Sequence, residues 1–307
     1  MSVDASATGQ KQAIDWKNLF NTLMVLFKAR IVGLLLMGAL GGAFLGARGL
    51  PRLETLVAVI ITGALAAGGS AAINQYVERE SDTLMGRTKT RPLANGMIKH
   101  PRLVLAISAA MIALAVLATL PLNPVMALYL FLGAVIYVGV YTLWLKPRSV
   151  INIVIGGAAG SCAVMTGGAA VGAGSDPGVI SLALLLFLWT PAHFWALAFF
   201  YKDDYAASST PMLPVFLTAR QSAWWIFVHA LGTGLAALLL AVHPALGLIY
   251  LTPVSVFALL MVAHGIILIR TPERKRAIRL FVVTNIFLLV VFVTIIVASV
   301  FNQVLSI

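Results

Sequence analysis

Apolar positions run along this chain in nine blocks, each close to the roughly 20 residues that an α-helix needs to cross the hydrocarbon of a bilayer. They cover residues 31–47, 56–75, 103–120, 124–145, 151–173, 179–200, 223–242, 246–269 and 280–301. Prolines punctuate the gaps: Pro51, Pro101, Pro121, Pro147, Pro177, Pro244 and Pro272. Proline lacks the N–H that a helix interior needs, so it collects at helix starts and in loops. Several blocks are rich in small residues, as in 63–70 and 156–160. In lipid such surfaces let helix backbones approach one another closely. The pattern predicts an all-α, polytopic membrane protein: nine transmembrane helices in a bundle around a central cavity.

Composition agrees. Of the 307 residues, 61% are hydrophobic and 10% charged, against roughly 25% charged in a soluble domain. The formal charge of +11 raises the question of nucleic acid, but its distribution answers it. Lys11, Lys17, Lys28 and Arg30, then Arg79 to Arg102, Lys146 and Arg148, Lys202 and Arg220, and Arg270 to Arg279 occupy one set of loops, while Arg48 and Arg52 stand in the others. The excess of lysine and arginine on one side places the N-terminus and the long loop after the second helix in the cytoplasm. An odd helix count then puts Ile307 outside. Residues 1–27 are expected as a polar cytoplasmic tail, neither a secretory signal nor an arginine-rich transit peptide, and 28–307 as one membrane domain. With Cys162 as the only cysteine, an intrachain disulfide and a cysteine metal cluster are excluded; it reads as a packing residue.

Two polar clusters interrupt this pattern. Asn74, Glu78 and Asp82 lie at i, i+4 and i+8, which at 3.6 residues per turn forms one stripe on a helix face. Charges near a membrane are costly and face a cavity or a partner. Oxygen ligands alone suit a hard cation such as Mg²⁺, which prefers carboxylates together with substrate phosphate. Arg79, Arg87, Lys89 and Arg91 follow at once and suit the phosphate oxygens that the metal leaves free. The combination predicts a diphosphate site; the plain alternative is an amphipathic loop with local pairs such as Glu78–Arg79 or Glu80–Arg87.

The second cluster closes the sixth helix: Trp189, Pro191, His193, Phe194 and Trp195, then Lys202, Asp203, Asp204 and Tyr205, then 211–214. Pro191 frees the carbonyl of Phe187 and is expected to kink the helix just before His193. Asp203 and Asp204 fall at the same membrane level as the first stripe and offer a second metal site. His229, His264 and Asn285 also sit in apolar blocks, where such residues ordinarily bond to a neighbouring helix.

At these residues the chain resembles the UbiA-type intramembrane prenyltransferases, and within them the branch that farnesylates haem. The matching strings are Asn-x-x-x-Glu-Arg-x-x-Asp at 74–82, Met85-x-Arg87-Thr88-x-x-Arg91-Pro92-Leu93, 193–198, Asp204-Tyr205 and 211–214, with Tyr141-Thr142 and 152–157 as a middle segment. Ala163-Val164 and Pro191-Ala192 stand where that branch commonly has proline pairs. The resemblance implies a transferase of a bacterial inner membrane, with farnesyl diphosphate and haem b as substrates. It implies Mg²⁺ held by Asn74, Glu78 and Asp82 and by Asp204 with Asp203. Arg79, Arg87, Arg91, Lys146 and Lys202 would hold the diphosphate, Tyr76, Tyr141 and Trp195 would shield an allylic cation, and His193 would ligate or orient the porphyrin. Downstream haem enzymes are conceivable partners. Two rivals share the sequence features: a prenyltransferase with a quinone-type acceptor, and a secondary transporter for an anionic metabolite.

Overall fold

The computed structural model describes residues 15–305. Among them, nine helices are long and apolar enough to cross a membrane, matching the nine apolar blocks. They are α2 (Ala29–Ala47), α3 (Leu53–Asp82), α4 (Pro101–Thr119), α5 (Pro124–Leu145), α6 (Asn152–Ala170), α7 (Pro177–Phe200), α10 (Ala219–Leu240), α11 (Gly247–Arg270) and α12 (Arg274–Leu305). Three shorter helices, α1 (Trp16–Leu26), α8 (Lys202–Ala207) and α9 (Leu213–Phe216), complete the order.

Successive spans pack on one another, and α12 closes the bundle against α2. Helices α2, α6 and α7 form its interior seam. Here glycine decides the spacing: a Cβ on Gly42 would stand 2.2 Å from the carbonyl oxygen of Val164, so α2 and α6 meet backbone to backbone. Val164 is fully buried in that seam, which makes it a packing residue of the core. Because consecutive spans alternate in direction, the five basic groups read from the sequence, within the described residues, collect at one end of the bundle.

One expectation needs correction. Residues 16–26 are not the end of a polar tail. They form α1, capped by the Asp15 carboxylate accepting from the Lys17 and Asn18 N–H groups, with Trp16, Phe20, Met24 and Val25 exposed. In the sixth span α7 runs on through Pro191 as one helix from Pro177 to Phe200. The discontinuity lies across from it, where α6 pauses at Gly157. A Cβ there would come within 3.3 Å of the Phe187 carbonyl that Pro191 leaves without a helical donor.

At the opposite end, Asp176 caps α7 through the Gly178 and Val179 amides. The same carboxylate meets Arg48 at 3.6 Å and His243 at 3.5 Å. This cluster ties three helix ends together far from the acidic stripe.

Candidate active site

The stripe on α3 is buried: Asn74 and Asp82 are each 1% exposed and Glu78 8%. Three cations reach it from three different segments. Lys28, in the left-handed turn between α1 and α2 with φ 49°, donates to Asn74 Oδ1 at 2.5 Å and to the Tyr137 hydroxyl at 3.2 Å. Its position is set by Gln75, whose side-chain amide donates to the Val25 and Leu26 carbonyls at the end of α1. Lys146 donates to Glu78 Oε1 at 2.5 Å. Arg91 places Nη1 2.9 and 2.7 Å from the two Asp82 oxygens and 3.8 Å from Glu78 Oε2. Asn74 also donates to Glu78 Oε1 at 2.7 Å and to Thr142 Oγ1 at 3.1 Å.

Three basic side chains therefore face two carboxylates. Burial, followed by the charge of Arg91, lowers the Lys28 ammonium from the ordinary lysine value to about 7.

The second half of α5 is wound as a π-helix over Val135–Leu145. Bonds of the i→i−5 kind, such as Lys146 N–H to the Tyr141 carbonyl at 2.8 Å, bring residues four and five apart onto one face. Tyr137, Tyr141, Thr142 and Lys146 thus meet the stripe together. The tyrosine rings stack 5.6 Å apart, and Lys146 lies 5.6 Å from the Tyr141 centroid. Gly156 makes room, since a Cβ there would stand 2.7 Å from the Tyr141 ring. π-Windings of this kind concentrate at functional sites.

The loop 83–100 carries the cluster toward α8. A Cβ on Gly86 would lie 3.6 Å from Asp204 Oδ2, so the two acidic regions share one end of the bundle. Arg87 donates to the Tyr205 hydroxyl at 3.2 Å and lies over the Tyr201 ring. Asn152 donates to the Pro211 carbonyl at 2.9 Å, which ties the 211–214 string to the start of α6.

Other expected residues go elsewhere. Asp203 turns outward, 74% exposed, with both oxygens 2.8 Å from Arg274. Arg79 and Tyr76 leave the stripe for another face of α3: Arg79 stacks on the Tyr76 ring, donates to the Tyr76 carbonyl and pairs with Glu80. Trp195 is buried edge-on against His229. His193 is packed between Trp189 and Phe281, with ring centroids 4.2 and 4.3 Å away. Its Nδ1 lies 3.0 Å from the Thr284 hydroxyl on α12. His229 and His264 place Nδ1 2.9 Å from the carbonyl four residues back on their own helices, rather than bonding to a neighbour. Lys202 opens α8, half-buried, beside Asp203. Lys28 and Tyr137 carry no site role in the sequence reading, and Thr142 enters it only through the Tyr141-Thr142 string.

Among the described residues, no three His, Cys, Asp or Glu side chains converge as a ready-made metal cage. The donor set nonetheless suits Mg²⁺, which takes one or two carboxylates and completes its shell with water and substrate oxygens. Asn74, Glu78 and Asp82 supply oxygen donors from one buried face.

The UbiA prenyltransferase family matches residues 35–292. The chain belongs to this family. A curated UbiA relative, the protoheme IX farnesyltransferase of Metallosphaera sedula, is 38% identical over 272 residues, 88% of this chain and 93% of its own. Among solved structures, one described by work on digeranylgeranylglyceryl phosphate synthase in membranes superposes with a TM-score of 0.76 at 17% identity, over 92% of this chain and 99% of that one. A UbiA homologue from Archaeoglobus fulgidus bound to GPP and Mg²⁺ gives a TM-score of 0.61 at 18% identity, over 89% and 99%. These likenesses establish the UbiA fold. The chain is a multi-pass membrane transferase.

Proposed function

We propose that the protein transfers the farnesyl group of farnesyl diphosphate to a vinyl group of haem b, giving haem O and diphosphate. The observation that carries prenyl transfer is the buried Asn74–Glu78–Asp82 stripe meshed with Lys28, Arg91 and Lys146. Haem as acceptor is supported by the farnesyltransferase relative and by the strings shared with that branch.

In this reading Asn74, Glu78 and Asp82 hold Mg²⁺, and Asp204 faces the same loop. Bound there, Mg²⁺ neutralises charge that the diphosphate gains on leaving. Lys28, Arg91 and Lys146, now paired with the stripe, turn to the phosphate oxygens as the carboxylates are taken up, with Arg87 beside them. The C1–O bond breaks with its electron pair on the diphosphate. The resulting allylic cation is shielded from water by the stacked Tyr137 and Tyr141 rings, whose faces attract positive charge. A haem vinyl carbon then bonds to C1, and water adds to the neighbouring carbon with loss of a proton.

The test is product mass. Purified protein given farnesyl diphosphate, haem b and Mg²⁺ is expected to release diphosphate and to yield a haem heavier by one farnesyl group and one hydroxyl. Diphosphate release that requires a quinone precursor instead of haem would replace the acceptor. Transport of an anion without diphosphate release would overturn the enzyme reading.

The site opens to the cytoplasm of a bacterial inner membrane in this proposal. The support is the gathering of basic groups at the site's end of the bundle. A reporter fused after Ile307 is expected to be active only outside; activity confined to the cytoplasm would invert the arrangement.

His193 separates two roles. Its packing between Trp189 and Phe281 and its contact with Thr284 make it a clamp between α7 and α12. His193→Ala is expected to lower stability by about 1–3 kcal/mol, from the lost aromatic and interhelical contacts. Affinities for haem and farnesyl diphosphate should then fall together. Loss of haem binding alone, at unchanged thermal stability, would assign the imidazole to the porphyrin.

A further inference from the structure

The end of α3 carries a second group of cations on a different face from the acidic stripe. Tyr76, Arg79, Lys99, His100 and Arg102 line an open concavity of about 300 Å³. Arg79 is held over the Tyr76 ring, 4.7 Å from its centroid, and by the Tyr76 carbonyl at 2.7 Å. Glu80, the carboxylate that pairs with it, is 87% exposed and points to water. Helix α4 begins here at Pro101, with no side chain capping its first turn.

Next to this concavity runs a groove of about 270 Å³ lined by Leu23, Phe27, Ile98, Val104 and Ile107, between α1 and α4. The two share a floor, because Tyr76, Phe27, Ile98 and Val104 all pack on the Leu26, Ala72 and Leu93 cluster. A basic cup and an apolar slot thus adjoin where a spanning helix meets the aqueous side.

We infer that this is a binding site for an anionic phospholipid of the surrounding bilayer. The phosphate lies against Arg79, Lys99 and Arg102, and an acyl chain fills the groove. An isolated phosphate has use for the cup but none for the slot, whereas a phospholipid uses both. Ile107 and Leu103, exposed at 49% and 58%, continue the groove onto the lipid-facing side of α4, so a chain enters from the bilayer. Basic residues beside a membrane helix attract anionic headgroups by about 1 kcal/mol each. The site would tie α1 to α4 through lipid.

The experiment titrates dioctanoyl phosphatidylglycerol, dioctanoyl phosphatidylcholine and inorganic diphosphate into detergent-purified protein while following the thermal midpoint. In the wild type, phosphatidylglycerol is expected to raise the midpoint at lower concentration than phosphatidylcholine. The Lys99→Gln, Arg102→Gln double variant should need about 25-fold more phosphatidylglycerol, about fivefold per charge. Both side chains are exposed, so folding is not at stake. Ile107→Trp should block the groove and weaken the phosphatidylglycerol response while leaving the diphosphate response alone. An equal phosphatidylglycerol response in wild type and double variant would overturn the proposal. So would a diphosphate response that needs Lys99 and Arg102 while phosphatidylglycerol is indifferent to Ile107→Trp, since that describes a small-anion site without a lipid.

Discussion

Asp82→Asn is expected to leave a folded protein whose prenyl transfer is slower by at least about a hundredfold. Asp82 is 1% exposed, and its two oxygens are both within hydrogen-bond reach of Arg91. The amide keeps the size of the side chain, so the packing of α3 against its neighbours survives. What goes is the charge, together with one oxygen of the metal-binding face. Removing a comparable preorganised electrostatic contact from an active site costs about 2.7–4 kcal/mol of transition-state stabilisation. Arg91 stays close to Glu78, so the substitution does not strand a buried guanidinium. Asp204→Asn should behave alike, because its carboxylate faces the loop that carries Arg87. Glu80→Gln is the control: exposed and paired with Arg79 on another face, it should keep turnover within about twofold, as surface ion pairs contribute little. Near-normal farnesyl transfer by Asp82→Asn, measured at saturating Mg²⁺, would remove that residue from the site.

The parts of this architecture that a reader could find in the sequence are those written in local periodicity. Nine apolar blocks of bilayer length specify nine spans because lipid admits only backbones that satisfy their own hydrogen bonds. The 74–78–82 stripe was visible for the same kind of reason, since 3.6 residues per turn makes i+4 spacing a face. Arg91 was visible by charge alone. The residues without a site role in that reading depend on tertiary context. Lys28 looked like one more cytoplasmic lysine; its entry into the cluster follows from a left-handed turn and from Gln75 gripping the end of α1. Tyr137 and Thr142 join Tyr141 and Lys146 only because α5 changes to π-winding, and nothing in 135–145 announces that change. Asp203 and Asp204 show a different limit. Neighbouring residues on one helical turn project about 100° apart, so a pair cannot serve one ligand equally. Sequence cannot say which member turns inward; here Asp204 meets Gly86 and Asp203 meets Arg274. Arg79 is the reverse case, adjacent to a stripe residue and therefore off its face.

Gly167→Ala is expected to cost the protein its fold. A Cβ at this position would stand 1.7 Å from the carbonyl oxygen of Ala39, 2.6 Å from its carbonyl carbon and 3.0 Å from the Ala43 nitrogen. The contact is reciprocal, because a Cβ on Gly42 would meet the Val164 carbonyl oxygen at 2.2 Å. Each glycine thus lies under a carbonyl of the facing helix, three residues before its counterpart. Overpacking a core whose side chains can yield costs roughly 1–3 kcal/mol. Here the atoms in the way are backbone, held in two helical ladders, so α2 and α6 must move apart as units. That movement opens the seam which Phe44, Val164, Leu182 and Phe292 fill, and with it the packing that brings Lys28 to Asn74. The expected result is a collapse in the yield of monodisperse protein on size exclusion in mild detergent, with no cooperative thermal transition. Gly33→Ala is the matched control on the same helix, since a Cβ there meets nothing within 4 Å. It should express like wild type, or gain up to about 1 kcal/mol from the better helix propensity of alanine. Wild-type yield and thermal midpoint for Gly167→Ala would show that the two backbones do not approach as described, and that the stripe is positioned by something other than the α2–α6 seam.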